Sequence, residues 1–450
     1  MPNLLEILLV LQPKVSGSNI AKLSEIITTI LHLSVPVTTR AIGRFGNLGL
    51  RTVERFYAQE PLSWTLMRIL LFGAYFFNPI DVYILVLDET TEKKSGKSSH
   101  GLGSFYSSLS GKAIASVSFL GAALVNVRTE KSHFLSCTQL IKPKQVEATV
   151  ASASLKEEGN PVLKGKKGRP KGSKNKPYQE PESLAFQTFK AAVDSLMLQL
   201  AKHCAGLMMP YLVLDGFYGN QHYLKYAQTK GLNIISKLKH NAALILPYQG
   251  KQNKAKGRPK KYDKKLDYAK IPKEALLSLP ADHQLSKPNT KVWALQVYAD
   301  TMREQLIRVV IIQKTDAQNK VIGQAILFSN DLKLDPILLI KYYSLRFQIE
   351  FDFRDSKQFF GLSDFKNYKE NQLTNAVNIA FTCKLVAQIL LEKYKKLFSN
   401  EKLSITDLKA IKKAEMCYDY FLNSSENSTQ DFLNDEIFLN FVKLHAVNIH

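Results

Sequence analysis

Two runs, DVYILVLDETT at 81–91 and PYLVLDGFYGN at 210–220, each carry a nearly unbroken series of large apolar residues that stops at an aspartate. A strand with one wet face alternates apolar and polar residues. A strand apolar at every position must be covered on both faces. Such strands call for helices above and below one central sheet, which is an α/β architecture. The closing acids, Asp88 and Asp215, bear on function. Ligands bind at strand ends in open α/β sheets, and a buried carboxylate is costly unless a cation or metal accompanies it. Taken alone, a strand-end Asp also serves as a turn or helix cap.

The rest of the chain divides around these strands. Residues 1–75 read as helical. Thr38 or Thr39 is placed to cap a short helix, Gly46-Asn-Leu-Gly49 to turn, and Leu50–Ala58 to form a second helix exposing Arg51 and Arg55. This outline fits a helix-turn-helix with a major-groove reader, and equally an ordinary helical hairpin. After the first acid-ended strand, AIASVSFLGAALVNV and HFLSCTQLI continue a three-stranded meander. A Lys-, Gly- and Pro-rich segment at 150–182 then interrupts the domain as an exposed loop. A helix near 182–204 leads to the second acid-ended strand, followed by a helix at 219–229 and the strand NIISKLK. Residues 241–330 break the alternation with three β-rich segments, KVWALQVYAD, LIRVVIIQK and VIGQAILFSN, and read as an inserted subdomain. A helix over 335–360 follows, and the remainder to 450 is mostly helical.

The formal charge of +22 favours a polyanionic partner, nucleic acid before acidic membrane. Residues 164–176 hold seven Lys or Arg and no acid; residues 251–265 hold eight against one Asp. These two tracts contribute +14 of the excess. They share a Gly-Arg-Pro core around Arg169 and Arg258, which resembles the AT-hook of minor-groove binders. Sequence-independent attraction to phosphates is the weightier alternative. The four scattered cysteines form no C-x-x-C pair and fit free thiols in a reducing compartment. No Walker-type loop is present, and no signal peptide or spanning segment is expected, so a cytoplasmic protein is anticipated.

The run KYYSLRFQIEFDFRDSKQFFGL places Tyr343, Arg346, Glu350 and Lys357 at offsets of 3, 4 and 7, one face of a helix. A carboxylate flanked by two cations and a phenol suits metal and phosphate handling. With Asp88 and Asp215, Glu350 completes a set of three acids able to hold two divalent ions for in-line phosphoryl displacement. The spacing Y-x2-R-x3-E-x6-K matches the signature of one large group of bacterial insertion-sequence transposases of the DDE class. Asp88 in DETT and Asp215 in VLDGFYGN resemble that group's first two motifs, and the β-rich insertion before the Glu is similar too. The likeness covers about residues 80–385.

This resemblance implies a ribonuclease H-like catalytic core, 80–240 and 331–385, interrupted by the inserted β-rich subdomain 241–330. A helical N-terminal region (1–75, the candidate DNA-binding domain) and a helical C-terminal region (386–450) flank it. Asp88, Asp215 and Glu350 would be catalytic and hold two Mg²⁺, with Mn²⁺ a substitute. Tyr343, Arg346 and Lys357 would grip DNA. The partners would be double-stranded DNA, as terminal inverted repeats and target, and a second copy of the chain in a homodimer, with no membrane. The implied activity is cleavage of element ends and transfer of their 3′-hydroxyl strands. A ribonuclease H-like nuclease without strand transfer and a catalytically degenerate DNA-binding protein are the alternatives. Trp293 and Tyr298 in the insertion read better as core than as wedges for a flipped base.

Overall fold

The computed structural model describes residues 2–107, 110–142, 183–252 and 259–424. Arg169, the 150–182 loop and Arg258 lie outside them. In chain order the elements are α1 (Leu4–Leu8), α2 (Gly17–His32), α3 (Thr39–Phe45), α4 (Leu50–Ala58), α5 (Trp64–Tyr75), β1 (Val82–Lys93), β2 (Gly103–Ser107), β3 (Lys112–Asn126) and β4 (Ser132–Leu140). Then come α6 (Leu184–His203), β5 (Met208–Val213), α7 (Gln221–Thr229), β6 (Asn233–Leu238), β7 (Leu244–Pro247), β8 (Tyr262–Lys265), β9 (Thr290–Ala299), β10 (Met302–Thr315) and β11 (Val321–Ser329). The described chain closes with α8 (Pro336–Leu345), α9 (Gln348–Phe359), α10 (Glu370–Phe398) and α11 (Ile405–Ser424).

The strands form one mixed sheet ordered β2-β3-β1-β5-β6-β11-β10-β9-β7-β8, with β4 also paired to β3. The pairs β1–β3 and β3–β4 are antiparallel, whereas β1–β5 and β5–β6 are parallel. The segment anticipated as an insertion therefore adds its strands to the same sheet, through the antiparallel β6–β11 pair.

Period-two alternation, with a core on each face, explains why the first half of β1, Val82 to Leu87, is apolar and why the strand continues past the expected end at Asp88 only as a polar segment to Lys93. Ile84 and Val86 enter the core beneath the helices of the two chain ends, while Tyr83, Leu85 and Leu87 enter the core beneath α6 and α7. The strand β5 and the residue after it split in the same way, with Val213 on the first face and Leu212 and Leu214 on the second. Each such side chain, fully removed from water, contributes roughly 1.5–3 kcal/mol. Trp293 and Tyr298 are buried in the sheet.

The N-terminal helices share the first core with α10 and α11. Thr38 caps α3, accepting from the Ala41 N–H at 3.1 Å. At Gly43 an added Cβ would stand 2.6 Å from the Leu50 Cα, so only glycine permits this close α3–α4 crossing. Arg68 of α5 is fully buried, and among the described residues no acid pairs with it. Its guanidinium donates to the Leu135 carbonyl at 2.9 Å and the Asn378 side-chain oxygen at 2.8 Å, tying α5 to β4 and α10. The expected boundary at 385–386 falls inside α10, a single helix. By length and composition α10 could cross a membrane, but 89% of its apolar window is buried within this protein.

A correction concerns 335–360, anticipated as one helix. It is two, α8 and α9, joined at Arg346–Phe347 by a tight turn in which Arg346 and Phe347 bond back three residues. Neither proline nor glycine lies there. The Ser344 hydroxyl donates to the Lys341 carbonyl at 2.7 Å, a local competitor of the helical ladder.

A buried ion pair anchors α9. Asp352 and Lys384 are 0% and 4% exposed, they bond directly, and Ser132 of β4 donates to the same carboxylate. Removing one partner strands a buried charge, which costs ~3–5 kcal/mol, whereas replacing both by apolar residues of similar size is often nearly neutral. Lys384→Met is therefore expected to lower stability by ~3–5 kcal/mol, and Asp352→Leu/Lys384→Met to recover most of it. Chemical denaturation of the two variants checks this; equal losses would contradict it.

Candidate active site

Asp88 and Asp215 come together because of strand register. The last paired residues of β1 and β5 are Val86 and Val213, and each Asp follows two residues later on parallel neighbouring strands. At Asp215 the chain leaves the sheet in a one-turn 3₁₀ helix, Gly216–Tyr218, and its side chain makes no capping hydrogen bond to it. The capping role open to this acid is thus not taken. The Ser236 hydroxyl fixes the turn by donating to the Asp215 carbonyl at 2.8 Å.

Glu350 arrives from the opposite side, on the first turn of α9. Register lets that helix approach closely: the partner of Asp88 on β3 is Gly121. A Cβ on Gly121 would stand 2.8 Å from the ring of Phe353, one turn beyond Glu350, and 2.7 Å from the ring of Phe134. Phe134 is itself stacked on Phe381 at 3.9 Å, so the rings have little room to retreat. Glycine at 121 is what brings α9, and with it Glu350, against β1 at Asp88.

The three acids line one open cleft of about 900 Å³, together with Arg346, Arg354 and Lys357. Arg346 lies between two of them, donating to Asp88 Oδ2 at 2.6 Å and to Glu350 Oε1 at 2.9 Å. It is 6% exposed, and among the described residues its Nε has no hydrogen-bond partner. Burial pushes the Asp88 carboxyl up to about 6; Arg346 and the Glu89 N–H oppose this, while Glu350 and Asp215 add to it. Burial works against the Arg346 charge, yet Asp88, Tyr343 and Glu350 hold it above the ordinary guanidinium value. Tyr343, half-buried on α8, is raised chiefly by burial. Lys357 reaches across to Glu92 at 2.8 Å.

As donors, three carboxylates suit a hard divalent cation such as Mg²⁺ or Mn²⁺. Among the described residues, however, no three Asp, Glu, His or Cys side chains stand close enough to hold one as they are. The Arg346 guanidinium fills the space between two of the acids, so the donor set fits the cation in kind and carries its positive charge on Arg346.

Sequence reasoning thus brought five residues of one cleft together: Asp88, Asp215, Glu350, Arg346 and Lys357. Arg51 and Arg55 are exposed on α4 and line a different hollow. Missed were Gly121, Arg354 and Glu92. Glu92 is buried, pairs with Lys357 and accepts from Ser363 Oγ at 2.9 Å. Its signal was the period-two recurrence of side chains after Asp88, which returns Glu92 to the same side of β1.

A family model described as DDE superfamily endonuclease matches residues 35–300. That span includes Asp88 and Asp215 and stops short of Glu350. No curated protein matches the chain. Among solved structures, a cryo-EM structure of the piggyBac transposase synaptic complex with hairpin DNA is similar at a TM-score of 0.38 and 9% identity, covering 100% of this chain and 84% of that one.

Two outcomes are expected. Gly121→Ala should overpack the rings at a cost of ~1–3 kcal/mol and lower any cleavage activity by shifting Glu350; activity equal to the parent at unchanged stability would refute the close-approach argument. The second concerns pH. The folded Asp88 pKa of about 6 exceeds the ordinary 3.8, so the folded state holds this proton more tightly and stability falls as pH rises between these values. Compared in chelator, the parent should lose on the order of 1–3 kcal/mol relative to Asp88→Asn across that window. Parallel stability–pH curves would exclude it.

Proposed function

Because this chain belongs to the DDE superfamily of endonucleases, we propose that it is a transposase of an insertion sequence, cutting element ends and joining their 3′-hydroxyls to target DNA. The observation that carries this reading is the meeting of Asp88, Asp215 and Glu350 on one cleft, just beyond the point where the parallel β1–β5 pairing ends. The antiparallel β4-β3-β1 run, continued by parallel β5 and β6, supports a ribonuclease H-like core. The spacing of Tyr343, Arg346, Glu350 and Lys357 supports the bacterial group with that signature, and hence action in the bacterial cytoplasm.

Endonucleases of this superfamily use divalent metal ions. Held by the three acids, Mg²⁺ would polarise the scissile phosphate and lower the pKa of the attacking oxygen. The chain's own residues do the positioning. Arg346 orients Asp88 and Glu350, each by a hydrogen bond. Lys357 and Arg354, on the cleft wall, face an incoming phosphate with positive charge. Hydrolysis frees a 3′-hydroxyl, and that hydroxyl then attacks a target phosphodiester. Both are in-line phosphoryl transfers needing no covalent protein–DNA bond. A homodimer acting on paired ends, and contacts of Arg51, Arg55, Arg169 and Arg258 with double-stranded DNA, belong to the same proposal.

Glu350→Ala is expected to reduce nicking of supercoiled plasmid in Mg²⁺ or Mn²⁺ by at least ~100-fold, with DNA binding largely retained. Undiminished nicking would sink the assignment. With wild-type protein, a precut element end and target plasmid should yield joined products. Nicking without joining would leave a nuclease.

A further inference from the structure

A second site lies beyond the cleft. The connection between α9 and α10 forms its floor, and two walls dock on that floor through hydrogen bonds. On one side the Val37 N–H donates to Asp364 Oδ2 at 2.8 Å, just ahead of α3 and α4. On the other side Lys94 Nζ donates to the Phe365 carbonyl at 2.9 Å, and the His100 N–H to the Tyr368 carbonyl at 2.8 Å. Two adjoining hollows of about 430 and 450 Å³ result, and Lys366, Asn367 and Tyr368 line both.

The charge on this groove is one-sided. Its lining includes Arg51, Arg55, Lys93, Lys94, Lys97 and Lys366, against a single acid, Glu54. Among the described residues none of these six cations forms an ion pair. Burial pushes the Lys94 ammonium down to about 8; Glu92 opposes this, and nearby Lys366 adds to the fall. Six cations against one lining acid raise the local affinity for an anion.

We propose that this groove holds the phosphodiester backbone of duplex DNA flanking the cleft, an inference that rests on the transposase reading. The groove is concave and walled on two sides, so a phosphate ridge can enter it and a flat bilayer cannot. Asn367 and the half-exposed Tyr368 add the neutral donors that commonly reach phosphate oxygens. Glu92 links the two sites, pairing with Lys357 in the cleft and accepting from Ser363 of the groove. From Asp88 to Lys94 the extended chain covers roughly 20 Å. That is about six base pairs at 3.4 Å each, which sets where the contact should fall.

The experiment uses the full chain, a fluorescein-labelled random-sequence duplex, and anisotropy over a series of salt concentrations. Lys97→Gln/Lys366→Gln should reduce the slope of log K against log salt by about 1.8, near 0.9 per lost phosphate contact. Lys366→Arg should retain the parental slope. On the unaltered protein, hydroxyl-radical protection should lie roughly six base pairs from a mapped nick. An unchanged slope with no such protection, in a protein that binds and nicks DNA, overturns the groove and leaves the transposase reading standing. Absence of both binding and nicking in the parent overturns both. Binding to phosphatidylserine vesicles that the double substitution abolishes, with duplex binding untouched, would assign the groove to a membrane surface and likewise overturn the proposal.

Discussion

The parallel pairing of β1 with β5 is the constraint on which the site depends. Two strands whose aspartates lie 127 residues apart are held at one level by backbone hydrogen bonds, so Asp88, still paired to β3, and Asp215, just past β5, stand side by side beyond the last β1–β5 pair. A slip of one residue would turn every side chain of β1 to the opposite face, exchanging the members of two cores. Because both faces are packed, that slip is forbidden at a cost of many buried side chains. The position of the acids is secured by burial far from the cleft.

The third acid comes under different control. Helix α9 is clamped from behind by Asp352, Lys384 and Ser132, and admitted from the front by the missing side chain at Gly121. Arg346 closes the arrangement by bonding to Asp88 and Glu350 at once. Three carboxylates beside one another repel, and the guanidinium offsets part of that repulsion. The rest is visible in the Asp88 carboxyl, which burial and its acidic neighbours hold up near 6. Stability given up at a functional cleft is the usual accompaniment of a charged ligand or ion to come.

Much of the scaffold was legible in sequence because local rules govern it. The apolar runs of β1 and β5, the β-rich segments that become β9, β10 and β11, the cap at Thr38 and the helix from Leu50 to Ala58 all follow from patterns a few residues long. The short strands β2, β7 and β8 escaped notice, since four or five residues carry too little periodicity. The turn at Arg346–Phe347 was missed for another reason. No helix breaker marks it, and the residues on either side retain helical spacing.

By itself the sequence singled out the residues proposed to carry the chemistry: two acids that end apolar runs, and Arg346, Glu350 and Lys357 at helical offsets. It also determined that an α/β sheet covered on both faces must hold them, because alternation and apolarity are properties of neighbours along the chain. Only tertiary structure decided that Arg346 turns inward to bridge Asp88 and Glu350, that Gly121 admits α9, and that the β-rich segment extends the same sheet. It also decided that cations from three distant segments line one groove. Each of these depends on residues tens to hundreds of positions apart, whose meeting is set by packing and register.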